Sequence, residues 1–384
     1  VDFLLPEELI TFKNLAKKFA EKEIAPTVAD DDEKHYFRRE LVKKMGDLGF
    51  FGCLAPDKYG GNEAGYLAMV LMIEEISKVS ASMSTPFNNQ CAGAPSAILK
   101  WGTEEQKQKY LPELIKGEII SCFAITEPNT GSDVASISST AIKDGDHYIL
   151  NGNKTWITFA PVADISLVYV YTDLSQRHHG MSCFIVENDR PGFSTREITT
   201  KLGLRSIPTG EIIMEDCRVP AANMLGNAGD GFRICMSQLE GTRIGTTARG
   251  LGIAAACLKV STEYAQQRKQ FGQPIAEFQM IQDQLARMAV EEEAARLLLY
   301  KAAWSMDNYP DKRHTKEIAI AKYNTAEAAV HAANEAIKIL GAYGYSEEYP
   351  VARYLRDSKA LQLTEGSSNI QKILIAREIL KSDL

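Results

Sequence analysis

The run Thr364-Glu365-Gly366-Ser367-Ser368-Asn369-Ile370-Gln371 sets one carboxylate beside a glycine and a row of small hydroxyl and amide side chains near the end of a 384-residue chain. Residues of these types at this spacing can serve a base that takes a proton from carbon next to a thioester. Such a base needs an ionisable group in a dry pocket, its basicity raised by burial. Glycine, lacking a Cβ, lets backbone approach a ligand closely. The same composition also suits a solvated turn, so the octapeptide alone does not separate a base from a surface loop.

Three other strips carry the decision. They are Phe123-Ala124-Ile125-Thr126-Glu127-Pro128-Asn129-Thr130-Gly131-Ser132-Asp133, then Asn151-Gly152-Asn153-Lys154-Thr155-Trp156-Ile157-Thr158, then Arg268-Lys269-Gln270-Phe271-Gly272. In this order and at these separations, the four motifs resemble the acyl-CoA dehydrogenase family, and the likeness runs from the first helix to the last. The resemblance implies FAD as cofactor and an acyl-CoA thioester as substrate. Glu365 would remove the α-proton, and the β-hydrogen would leave as hydride to flavin N5.

Taken position by position, the resemblance places Phe123, Ile125 and Thr126 on the strand against the isoalloxazine and Trp156 with Thr158 beside the reactive ring. Gly131 and Ser132 match the loop that reaches the cofactor and the CoA phosphates. Arg268, Phe271 and Gly272 match a segment that crosses a subunit interface to a neighbour's FAD, where the arginine fork suits pyrophosphate. The strip from Lys338 through Gly341 to Gly344 resembles another such contact, although Lys338 and Ala342 stand where glutamine and glycine are usual. Ser367 and Asn369 match contacts to the adenosine half of FAD, with Ser368 departing from the usual middle residue. Glu240 and Arg243 fall on the strip that binds CoA, with a surface ion pair as the plainer reading of Arg243. Gly366 adjoins the base in the thioester site. Some members carry the base at the position of Thr242, but threonine cannot deprotonate carbon, which leaves Glu365.

Residues 45–52 and 341–345 look like the branch that holds glutaryl-CoA and alicyclic acyl-CoA dehydrogenases. A glutaryl pocket needs a cation for its distal carboxylate, because a buried unpaired charge is costly. Glutaryl enzymes place an arginine in the segment matching 81–91, yet no arginine lies between Arg39 and Arg177. A compact uncharged acyl group, branched or alicyclic like cyclohexanecarboxyl-CoA, is therefore expected. Asn88, Asn89 and Gln90 either line its pocket or cap helices. The alternatives are glutaryl-CoA dehydrogenation, the reverse reduction of an enoyl-CoA, an oxidase that uses oxygen directly, and a flavin-free scaffold. Electron-transferring flavoprotein is the implied acceptor, and a homotetramer built as a dimer of dimers is the implied assembly.

Composition sets the frame for these motifs. Apolar residues at 45% and charged residues at 24% describe an ordinary globule, long enough for two or three packed domains. A net charge of −7 disfavours nucleic acid and anionic membrane as main partners. No apolar run approaches a membrane span, and residues 1–8 have no leader pattern, so a cytoplasmic protein is expected. The seven cysteines are scattered without a Cys-x-x-Cys pair, so no metal site is expected.

The elements read as an α+β fold, mostly α. Apolar residues at three- and four-residue steps between Pro6 and Pro26, then over 37–48, 66–78 and 103–116, give an N-terminal helical domain over 1–120. Residues 147–150, 165–171 and 182–186 are β-branched and aromatic, giving a central antiparallel β domain over 121–229. Helical spacing returns from Asp230 as a C-terminal bundle over 230–384, with an alanine-rich helix over 315–340 that stops at Gly341. Gly250-Leu251-Gly252 imitates a dinucleotide-binding fingerprint, but its surroundings are helical, so tight helix packing is the expected role.

Overall fold

The computed structural model describes residues 4–381; Val1–Phe3, where the leader reading begins, and residues 382–384 lie outside the described part. Seven helices come first: α1 (Glu7–Phe19), α2 (Val28–Glu33), α3 (Arg39–Asp47), α4 (Gly65–Val79), α5 (Thr85–Phe87), α6 (Ala94–Trp101) and α7 (Glu104–Ile115). α1 starts directly after Pro6 and continues through a wide turn to Ile24, burying Ala16, Phe19, Ala20 and Ile24 against α4. α4 is enclosed on nearly every side. Its buried Glu74 is paired to Arg296 and Lys78, each at 3.1 Å, and to the Tyr300 hydroxyl at 2.6 Å, which is what an enclosed charge requires.

α7 opens on a capping box. Thr103 accepts from the Gln106 amide at 3.3 Å while Gln106 accepts from the Thr103 amide at 3.0 Å. The Gln106 side-chain nitrogen also reaches the carbonyls of Ala222 and Met224, fastening the helical layer to the sheet domain.

That sheet comprises β1 (Ser121–Ala124), β2 (Thr140–Asp144), β3 (His147–Thr158), β4 (Ile165–Tyr171), β5 (Met181–Glu187), β6 (Phe193–Glu197), β7 (Thr209–Pro220) and β8 (Met224–Leu225), in the order β6-β7-β3-β2-β4-β5-β8 with β1 on β4. The expectation of a purely antiparallel domain needs correction: the sheet is mixed. β1 runs parallel to β4 over its whole length, and β2 meets β4 in a parallel pair at Thr140 and Tyr171. Parallel neighbours need a long crossover, and the β2–β3 hairpin lies within the one that separates β1 from β4.

The remaining helices are α8 (Gly231–Gln267), α9 (Gln279–Asn308), α10 (Thr315–Leu340), α11 (Val351–Leu361) and α12 (Ser368–Lys381), with a two-strand ribbon, β9 (Lys269–Gln270) and β10 (Gln273–Pro274), after α8. α8 has 37 residues, so it is about 55 Å long, and α4, α9, α10 and α11 pack around it. Gly252 lies inside α8, and a Cβ there would come within 2.6 Å of the Glu74 carbonyl on α4. The glycine pair therefore serves helix packing, and no strand precedes it in the way a dinucleotide loop requires. α10 stops at Gly341, whose φ of 63° is a left-handed value that ends a helix.

Candidate active site

After α11 the amides of Leu363 and Thr364 both turn back to the Ala360 carbonyl. The chain then passes through Glu365 and Gly366, with φ of 56° and 86°. A glutamate in the left-handed region costs of order 1–3 kcal/mol, so its neighbours must hold it there. Arg243 Nε donates to the Glu365 carbonyl at 3.0 Å, and Gln371 Nε2 donates to the Gly366 carbonyl at 2.9 Å. At Gly366 a Cβ would lie 2.8 Å from Gln371 Nε2.

The Glu365 side chain meets α8. Thr242 Oγ1 donates to Glu365 Oε2 at 2.7 Å. Burial pushes the Glu365 carboxyl above the ordinary carboxylate range, while the Thr242 hydrogen bond and the charges of Arg243, Lys322 and Arg249 oppose that rise. Lys322 is itself enclosed. Its ammonium sits on the Leu361 carbonyl at 2.9 Å, and burial pulls it down to about 8. A half-buried carboxylate of raised basicity on a fixed backbone can take a proton from carbon.

A second wall is built by β1, the loop after it, and β3. The Thr155 amide donates to the Thr126 carbonyl at 2.9 Å. Lys154, fully buried, reaches Glu127 at 2.8 Å and the Ile125 carbonyl at 3.2 Å. Glu127 also accepts from the amides and hydroxyls of Ser138 and Ser139, at 2.6 to 3.0 Å. Burial alone would raise the Glu127 carboxyl, but Lys154 and the serine donors bring it down to about 2.

A register shift between Lys154 and Ile157 turns Trp156 out of the sheet, with φ of 59° and 59% of its surface exposed. Thr158, Thr126 and Phe123 are half-buried, Ile125 is buried, and Gly131 and Ser132 are exposed. A strained aromatic held out of the core, with threonine hydroxyls and Phe123 on the same wall, fits a flavin, which needs an apolar wall and a donor near its reactive nitrogen. Cys235 lies buried on α8. Burial raises its thiol to about 12, and it feels the charges of Arg243, Glu365 and Lys154 together.

Other expected site residues fall in several places. Arg243 is 8% exposed and supports the base loop from inside, which replaces the surface ion pair as its plain reading. Glu240 is half-buried and accepts from the Thr315 hydroxyl at 2.8 Å. Ser367 Oγ accepts from the Ile370 amide at 3.4 Å, Ser368 donates to Glu327, and Asn369 is exposed.

Of the two roles left open for Gln90, lining an acyl pocket or tying helix ends, its contacts are of the second kind. Its side-chain nitrogen donates to the carbonyls of Leu114 and Ile119, and its oxygen accepts from the Ser121 amide, so it joins the end of α7 to the start of β1. Asn89 likewise donates to the Ser121 carbonyl. The wide turn Asn88–Gly93 sends these two toward the sheet and sends Asn88 toward α8, where it donates to Thr246 Oγ1 at 2.7 Å.

Arg268 and Phe271 are not brought to this site. About 39 Å of helix separates Thr242 from Arg268, which follows the last turn of α8. Phe271 is 95% exposed at φ 52°, Arg268 lies 5.8 Å from the Tyr343 ring centroid, and Lys338 pairs with Glu335 at 2.6 Å beside the exposed Gly341.

Sequence reasoning missed the Glu127–Lys154 pair, Lys322, Arg249 and the contact role of Thr242. These groups meet across 27 to 165 positions of sequence, so no local spacing marks them.

A half-buried carboxylate of raised pKa and a wall whose residue types fit a flavin suit a flavin-dependent dehydrogenase of carbon–carbon bonds. Comparison with known proteins agrees. The acyl-CoA dehydrogenase N-terminal domain matches residues 6–118, the middle domain 122–217 and the C-terminal domain 229–380. A glutaryl-CoA dehydrogenase of Desulfococcus multivorans is 44% identical over 99% of this chain and 98% of its own length. An NADH-dependent acryloyl-CoA reductase of Anaerotignum propionicum is 42% identical, covering 99% of this chain and 96% of the relative.

Among solved structures, a glutaryl-CoA dehydrogenase in complex with glutaryl-CoA superposes with a TM-score of 0.96 at 44% identity, over 99% of this chain and 97% of that one. PigA, solved with FAD and proline, gives 0.95 at 30% identity, over 99% of each chain. The chain belongs to the acyl-CoA dehydrogenase family and is an FAD-dependent enzyme. Among the described residues, no helix is long and apolar enough to cross a membrane.

Proposed function

We propose that this chain oxidises a short, compact acyl-CoA between its α and β carbons, with Glu365 as the base. The observation that carries the reading is the Glu365 carboxylate, half-buried on a left-handed backbone and bonded to Thr242 at 2.7 Å. FAD, when bound, accepts the β-hydrogen as hydride. Glu365 takes the α-proton, and Thr242 fixes the carboxylate oxygen that does not receive it. Arg243 and Gln371 hold the loop carbonyls, which keeps the base aimed as charge develops on the thioester. Phe123, Ile125, Thr126, Trp156 and Thr158 form the flavin wall, which the Glu127–Lys154 pair braces from beneath. Ser132, Glu240 and Arg243 lie toward the CoA moiety.

Arg268 and Phe271 then serve the flavin of a second copy, within a cytoplasmic homotetramer. Their exposure and their distance along α8 from Glu365 support this reading. Electron-transferring flavoprotein is the proposed acceptor. A reductive direction is the second reading, favoured by the acryloyl-CoA reductase among the full-length relatives. Mixing the flavin-loaded protein anaerobically with butyryl-CoA and, separately, with glutaryl-CoA tests the main reading: loss of flavin absorbance with either supports it, and a spectrum unchanged by both contradicts it. Reoxidation by crotonyl-CoA, measured with NADH as donor, separates the two directions.

A further inference from the structure

Thr242, Thr246 and Arg249 lie along one face of α8 at helical spacing, and each meets a different partner. Thr242 holds the Glu365 carboxylate, Thr246 holds Asn88, and Arg249 Nε donates to Ser84 Oγ at 3.2 Å. From the base to Arg249 the face runs two helical turns, about 10 Å. Arg249 is 4% exposed, its Nη2 is buried without a hydrogen-bond partner, and no carboxylate forms an ion pair with it among the described residues. On the same wall Asn88 Oδ1 is also buried and unpartnered, and Gly245 is the residue that lets it come so close to α8. If the Asn88 amide is turned over, Thr246 can donate to its oxygen and its nitrogen becomes a second free donor.

A buried guanidinium without an anion is costly, and it persists where a ligand completes it. Glu365 and Asp357 act on Arg249 through space, but neither forms an ion pair with it: Glu365 is bonded to Thr242 and Asp357 accepts from the Leu204 amide, which leaves Nη2 open for a ligand. We propose that Arg249, seconded by Asn88, receives the distal carboxylate of a short dicarboxylyl-CoA, so that the acyl group bears a charge at its far end. This rests on the dehydrogenase reading above and deepens it. The uncharged group expected from sequence depended on finding no arginine in the segment around Ser84. The cation reaches that segment from α8 instead.

The test compares kcat/KM for anaerobic flavin bleaching by glutaryl-CoA and by butyryl-CoA, in the full flavin-loaded wild type, Arg249→Gln and Arg249→Lys. Wild type is expected to prefer glutaryl-CoA by about 100-fold or more. In Arg249→Gln that ratio collapses toward one through a raised KM for glutaryl-CoA, and Arg249→Lys restores part of it. A wild type that prefers butyryl-CoA, or a ratio that survives in Arg249→Gln, overturns the proposal. If Arg249→Gln fails to hold flavin, the wild-type ratio and Arg249→Lys decide alone. Bleaching by neither thioester removes the dehydrogenase reading itself, a result distinct from bleaching by butyryl-CoA alone.

Discussion

Thr242 and Glu365 stand 123 positions apart in the chain and share a 2.7 Å hydrogen bond that the hydroxyl donates to the carboxylate. This bond is one of the influences that hold the base's pKa down against burial. Thr242→Val removes it, so the carboxyl titrates at higher pH than in wild type. Proton abstraction needs the ionised form, which is lost as pH falls, so the acid limb of flavin reduction moves toward neutrality. On that limb the rate drops roughly tenfold, the size of one charge-assisted hydrogen bond of about 1.5 kcal/mol. Stopped-flow reduction across pH 5 to 9 reads the shift.

Gly366→Ala puts a Cβ where φ is 86° and Gln371 Nε2 is 2.8 Å away. Backbone strain and the displaced glutamine cost about 1–3 kcal/mol. Thermal unfolding should show the loss, and flavin reduction should slow more than stability alone accounts for, because the loop that aims Glu365 moves.

The parts of this molecule that were readable from sequence are those whose cause is local. Pro6 opens a helix and Gly341 stops one by their own backbone chemistry, and residues 165–171 declare a strand by β-branching; these readings match α1, α10 and β4. α5 and α6 gave no such signal, since residues 85–98 are buried on nearly every side and carry no amphipathic period. The parallel placement of β1 depends on a partner some forty positions away, which alternation cannot reveal. At the site, Glu365 beside Gly366 could be singled out by residue type. The groups that act on its charge could not, because Thr242, Lys322 and Arg249 arrive from other helices. Gln90 was left open between two roles because a polar side chain near a pocket segment can face either way.

Glu127→Gln breaks a buried pair and leaves Lys154 without its anion, which should destabilise the fold by about 3–5 kcal/mol at pH 7. The native Glu127 carboxyl is depressed to about 2, below its unfolded value. Its contribution is therefore present above the ordinary carboxylate pKa and is lost as pH falls toward 2. Denaturant curves for wild type and variant should converge as pH is lowered from about 5.

Arg268→Glu should weaken FAD retention at least tenfold without touching its own chain's base. If the arginine serves a neighbour, co-assembly with Glu365→Gln chains regenerates sites holding one intact Glu365 and one intact Arg268. Co-expressed mixtures should then be more active than either variant alone. Activity no higher than the mean of the two would place Arg268 on its own chain's flavin or on none.

The central claim is that the Glu365 carboxylate takes the substrate proton, and Glu365→Gln tests it with almost no change of shape. The purified variant should keep its yellow flavin spectrum and its thioester binding, while anaerobic bleaching by a thioester that reduces the wild type slows by about a thousandfold or more. Bleaching at the wild-type rate in a flavin-loaded variant would contradict the account and assign the proton to another group.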